Sequence, residues 1–142
     1  MNSSDETAVI GVYEAWCRAF QTLDVAGMKA LFEQNSAGLT YQPEESAEPM
    51  YTWGEIERYW SGVPAIVERI PEWRELTRKV AVYGDTAFVY TKLHTHLDVK
   101  GAKKPLIGEL RASIGMHRTP QGWKIVHYHE SRHLDLAYLF TD

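Results

Sequence analysis

The spacing of apolar residues changes halfway along the chain, and this change limits the architecture more than any other feature. Before Pro64 they recur every three or four positions: Val9, Val12, Tyr13, Trp16, Phe20 and Leu23 fall on one helical face. From Leu76 onward come four long runs rich in β-branched and aromatic residues, at 76–83, 87–97, 106–117 and 123–133. Helices first and long strands afterwards predict an α+β domain, one sheet with the helices on one face. At 142 residues the chain holds a single domain, 1–142.

Local signals divide the first half. Ser3 or Ser4 is placed to cap the first helix, with Asp5 and Glu6 in its first turn. Asp24 caps a second, short helix carrying Val25, Met28, Leu31 and Phe32 on one side. Gly38 ends that stretch, residues 39–42 read as a short strand stopped by Pro43, and 43–50 is a polar loop. Thr52 and Glu55 form a capping box for a third helix that turns Ile56, Tyr59, Trp60 and Val63 inward. Gly62 and Pro64 predict a kink or break there. Turns at Gly84-Asp85 and at 119–122, with a longer link at 98–105, predict antiparallel neighbours in the second half.

Composition excludes several roles. A net charge of −4 with no basic run argues against a nucleic-acid partner. Cys17 is the single cysteine, so the chain makes no internal disulfide and no Cys-based zinc cluster; among Ala15, Trp16, Ala19 and Phe20 it reads as a small buried hydrophobe. The polar, acidic N-terminus lacks the pattern of a signal peptide, and no apolar run reaches ~18 residues, so a cytoplasmic location without membrane contact is expected. Gly-rich phosphate loops, His-Glu-x-x-His helices and serine nucleophile elbows are absent, so the motifs call for no cofactor and no metal.

The order helix–helix–short strand–helix–long meander, closed by Gly122-Trp123-Lys124-Ile125-Val126-His127-Tyr128-His129-Glu130-Ser131, resembles the nuclear transport factor 2-like superfamily and its SnoaL-like branch. The closing strand is also similar to that of the association domain of calcium/calmodulin-dependent protein kinase II. Arg111, twelve residues before Trp123 and followed by Ser113, fits the same template. The resemblance implies a cone-shaped, curved antiparallel sheet wrapped over three N-terminal helices. It also implies a small-molecule pocket in the cone, with cofactor-free isomerase, dehydratase or cyclase chemistry on an apolar carbonyl or carboxylate compound. The alternative is a non-catalytic oligomerisation or ligand-sensing domain, since the superfamily includes assembly domains and fold alone does not fix function.

Strand alternation nominates the site residues. Unless a bulge intervenes, Tyr128 and Glu130 share a face with Lys124 and Val126, while His127, His129 and Ser131 share the other with Trp123 and Ile125. The kinase domain carries a pocket arginine where this chain has Glu130, so the resemblance implies that Tyr128 and Glu130 line the cavity. Glu130 then either pairs with Arg111, acts as an acid or base with a raised pKa, or lies exposed at the rim. His94 aligns with a second pocket arginine and shares its face with His96; an imidazole there exchanges protons near neutral pH. Arg111, with Ser113 beside it, is the expected anchor for a carboxylate or carbonyl. Tyr41, Trp53, Tyr59 and Trp60 are the expected aromatic walls, and His127 with His129 the expected homodimer face.

Overall fold

The computed structural model describes residues 3–142. Helix α1 spans Ser3–Gln21 and carries Asp5 and Glu6 in its first turn. The helix is already running at Ser3, so Ser3 and Ser4 stand inside its first turn rather than at its cap, where the sequence pattern puts one of them. Asp24 caps helix α2 (Val25–Lys29), its carboxylate accepting from Gly27 N at 3.0 Å. Strand β1 (Thr40–Gln42) follows, then helix α3 (Trp53–Ile66), where Thr52 Oγ1 accepts from Glu55 N and Glu55 accepts from Thr52 N. Strands β2 (Val67–Tyr83), β3 (Thr86–Val99), β4 (Leu106–Thr119) and β5 (Gly122–Arg132) complete the sheet. A 3-10 turn at Leu136–Phe140 ends the chain.

Pro64 does not break α3. It lies in the last turn, where only the bond to the Trp60 carbonyl is forfeited before the helix ends two residues later. Two carbonyls left open there find donors on one residue: Lys100 N reaches Ile66 O at 2.8 Å and Lys100 Nζ reaches Pro64 O at 2.9 Å. The chain passes straight from the helix into β2, nine residues earlier than the apolar pattern suggests. Pro71 and the charges Glu68, Arg69, Glu72 and Arg74 hide that strand's alternation, as suits an edge strand in water.

The sheet order is β1-β5-β4-β3-β2, antiparallel except that β1 runs parallel to β5. Repeated register shifts between Val67 and Thr77 bend β2 around the helices, since each extra residue kinks the strand that carries it. The concave face meets the helices in a core rich in aromatics. Trp16 of α1 lies at its centre, with Tyr13, Phe20, Trp73 and Tyr128 around it at ring-centre distances of 5.4–6.0 Å. Such rings remove large apolar areas from water and supply most of the packing. Cys17 is free and half-buried against this core. No described helix is long and apolar enough to cross a membrane.

A single bulge decides which way the end of β5 faces. On β4, Gly115 pairs with His127 but the next residue, Met116, pairs with Ile125, so Val126 is the extra residue. Trp123 and Ile125 point into the core before the bulge, and Tyr128 and Glu130 point into it afterwards. The strict alternation read from the sequence separates these two pairs. The bulge places them on the same face.

Candidate functional site

The core does not fill the whole space under the sheet. Beyond Trp60 and Phe20 the concave face encloses a cavity of about 530 Å³. Helix α3 contributes Tyr59, Trp60, Val63 and Ile66 to one wall. Leu97 and Val99 from β3 and Leu106 and Leu110 from β4 form the opposite wall. Val67 and Trp73 of β2 complete an apolar lining suited to a hydrophobic ligand body. Polar lining groups come from Arg58 of α3 and, at the end of β5, from Glu130 and Arg132 with Glu44 and Glu45 of the 43–50 loop beside them.

Glu130 is 6% exposed and stands on the cavity side of β5. Its Oε2 accepts from the Tyr128 hydroxyl, and its Oε1 accepts from Glu44 N at 3.1 Å. Burial pushes its carboxyl up to about 7, and the nearby Glu44 and Glu45 charges act in the same direction. The two donated hydrogen bonds oppose that rise and fall short of cancelling it. Behind the carboxylate lies a ring stack: Tyr128 and Tyr41 have centres 4.7 Å apart, and Trp60 Nε1 donates to Tyr41 Oη at 3.0 Å. Both phenols are held protonated far above their ordinary range by burial first and by Glu130 second. Tyr59 donates to Glu45 Oε2 at 2.8 Å at the mouth.

Arg132 follows Glu130 by two residues and shares its face. Its Nε donates to Glu44 Oε1, and its Nη2 lies 3.5 Å from Thr95 Oγ1. Its Nη1 is buried and meets no acceptor among the described residues. The sequence reading missed this residue, although the two-residue period from Glu130 points to it. Glu44 was also missed: it sits in a polar loop whose docking against β5 depends on contacts 86 and 88 residues away in sequence.

The structure divides the expected site residues between the two faces of the sheet. Tyr59, Trp60 and Glu130 line the cavity, and Tyr41 and Tyr128 stack directly behind it. Trp53 is half-buried elsewhere, its ring 5.7 Å from Phe32. Arg111 and Ser113 are on the outer face, because Leu110, Ala112 and Ile114 already occupy the inner one. The sequence does show that apolar stripe on β4; the error is to assign the cavity to the other side, when core and cavity share one face. Arg111 donates to Ser131 Oγ at 3.1 Å and to Arg132 O at 2.8 Å, and it does not pair with Glu130. In the β4–β5 register Glu130 lies opposite Ala112, and Arg111 opposite Ser131.

His94 and His96 are also on the outer face. His94 sits between Glu72 (Nε2 to Oε1, 3.0 Å) and Glu109 (Nδ1 to Oε2, 3.1 Å), and His96 Nε2 lies 2.8 Å from Asp98. Neither reaches the cavity. His127 and His129 are exposed on that same outer face, as the sequence reading has them. Among the described residues no cluster of three or more His, Cys, Asp or Glu is arranged to hold a metal ion.

Residues 9–135 match the family model described as a SnoaL-like domain. No curated protein matches the chain. Among solved structures, the chain is similar to a proposed dehydratase of the nuclear transport factor 2-like family from Streptomyces avermitilis, with a TM-score of 0.81 and 20% identity over 95% of this chain and 100% of that one. A nuclear transport factor 2-like superfamily protein from Salmonella enterica gives a TM-score of 0.80 and 18% identity, covering 94% of each chain. A proposed calcium/calmodulin-dependent kinase II association domain from Exiguobacterium sibiricum gives 0.74 and 16%, covering 95% of this chain and 97% of that one. At such identities the likeness is one of fold.

Proposed function

Because this chain belongs to the SnoaL-like domain family, we propose that it binds a small, largely apolar carbonyl compound in the cone cavity and moves protons on it through Glu130, without a cofactor. One observation carries this reading: a buried carboxyl, raised to about 7 and in no ion pair among the described residues, faces an apolar cavity. A group that titrates near the working pH serves as base in one half-reaction and acid in the other. Tyr128 and the Glu44 N–H fix the plane of the carboxylate, so its proton is delivered in a set direction. Glu130 takes a proton from the carbon beside the carbonyl and returns it to the same or a neighbouring carbon, with no net gain or loss of atoms. The structural likeness to a proposed dehydratase agrees with acid–base work of this class.

The test is deuterium uptake from heavy water into a panel of aryl ketones, followed by NMR. The wild-type protein is expected to exceed Glu130→Gln by about a hundredfold, the usual scale for a positioned general base. Equal rates in the two proteins would refute the role of Glu130.

A second reading rests on the outer face. Phe88 is 52% and Tyr90 40% exposed there, in cross-strand rows with Gly115 and His127 and with Ser113 and His129. An aromatic and histidine surface on a sheet supports self-association, which a separate copy of this chain would satisfy by pairing face to face. Light scattering distinguishes the outcomes: a dimer that Phe88→Glu converts to monomer supports pairing here, and a monodisperse wild-type monomer at high concentration contradicts it.

A further inference from the structure

We propose that the cavity's ligand is an apolar monocarboxylate, that Arg132 holds its carboxylate, and that Glu44 is the internal anion competing for the same guanidinium. The proposal rests on the reading of the cavity as a binding site and specifies which class of compound it selects.

The argument starts from the donors of Arg132. A guanidinium has five N–H groups in a rigid planar fork that matches a carboxylate. Here Nε is taken by Glu44, Nη2 has a hydroxyl at the limit of hydrogen-bonding distance, and the buried Nη1 has no acceptor among the described residues. Nη1 lies beside Gly108, where a Cβ would come within 3.6 Å of it, and Leu97, Val99 and Leu106 of the cavity lining carry no side-chain acceptor. A buried, permanently charged donor beside an apolar cavity is therefore matched by a ligand with an apolar body and a single anionic head. A dianion fits poorly, because Glu44 and Glu45 already bring negative charge to that end.

Glu44 links this anchor to the rest of the site. Its carboxylate holds Arg132 while its own N–H donates to Glu130, so a single loop residue touches both Glu130 and Arg132. A ligand carboxylate on the Nη1 edge of Arg132 brings a second negative charge close to Glu44. Glu44→Gln removes the repulsion and leaves a side-chain oxygen to accept from Nε. Arg58, also at the mouth, is on the exposed side of α3 and is screened by solvent, so it contributes little to the selection.

Matched pairs of probes isolate the carboxylate: phenylbutyrate against its primary amide, and naphthylacetate against its amide, titrated by calorimetry. In the wild type the acids are expected to bind at least tenfold more tightly than the amides. Arg132→Met should reduce that preference to within twofold, Lys92→Ala on the outer face should leave it intact, and Glu44→Gln should tighten the acids severalfold without affecting the amides. Acids and amides binding alike to the wild type, or a preference that survives Arg132→Met, overturns the anchor while leaving the apolar binding site standing. Failure of all four probes to bind overturns both readings. If urea melts reveal that Arg132→Met is unfolded, Arg132→Lys decides: it keeps the charge and loses the fork, so an undiminished preference counts against the proposal.

Discussion

Tyr128 donates its phenolic hydrogen to Glu130 Oε2 from two residues back along the same strand, and both side chains are sealed beneath the sheet. The phenol stays protonated across the whole working range, because burial and the adjacent carboxylate both disfavour the phenolate. It is thus a permanent donor, and the proton that exchanges near neutral pH is the one on Glu130. Four expectations follow from this pair and from its surroundings.

Glu130 should make the fold less stable as pH rises. Its carboxyl sits at about 7 in the folded chain against an ordinary 4.5, so the folded state binds the proton more tightly than the unfolded one. The benefit is complete below the unfolded value and disappears as pH rises through about 7. Between these limits the loss is at most about 3 kcal/mol. Urea unfolding of wild type and Glu130→Gln at pH values on either side of that window checks it: the variant should gain on the wild type toward alkaline pH, and parallel profiles would count against the shift.

Tyr128→Phe should raise the Glu130 midpoint further. The donated hydrogen bond favours the ionised carboxylate, so removing it shifts the midpoint upward by roughly one unit. Carbon-detected NMR of labelled glutamate reads the titration directly. Stability should fall by about 1 kcal/mol, and an unchanged or lower midpoint contradicts the assignment.

Arg111→Ala should leave ligand binding within twofold of wild type. The side chain lies on the outer face and holds Ser131 Oγ and Arg132 O, so its loss costs about 1 kcal/mol of stability. Calorimetry with the aryl acids, together with a urea melt, separates the two effects. A tenfold loss of affinity without unfolding would return Arg111 to the site.

Gly115→Ala should destabilise the β4–β5 ladder. A Cβ at Gly115 would stand 2.9 Å from the Cβ of His127, its cross-strand partner. That contact involves a branch point fixed to the backbone, so relief requires the strands to part, at about 1–3 kcal/mol. A double-mutant cycle with His127→Gly should recover part of the cost, and simple additivity would mean the clash lies elsewhere.

Much of this architecture is visible in the residues themselves. Asp24, and Thr52 with Glu55, mark the starts of α2 and α3 because capping is decided within four residues. The hairpins at 84–85 and 119–122 likewise carry their own turn chemistry, with Gly84 and Gly122 both at positive φ. The site was legible only in part. Tyr59 and Trp60 emerge from helical spacing and Glu130 from the resemblance of the closing strand, whereas Arg132 and Glu44 depend on a loop packing against a strand more than 80 residues distant. Arg111 and His94 were assigned to the wrong side for a different reason: period two shows that two faces exist, but which one is hollow depends on where the helices lie.

The bulge at Val126 acts as a parity bit for the interior. Residues after it face inward on even numbers, whereas those before it face inward on odd ones. Regularising the strand with Val126 kept would turn Tyr128, Glu130 and Arg132 out toward water and bring His127, His129 and Ser131 in, without altering any of the six side chains, whereas deleting Val126 would leave the inward set unchanged by plain alternation. A lineage built on this scaffold can therefore exchange a carboxylate-and-guanidinium chamber for an imidazole one by ironing out a single backbone irregularity.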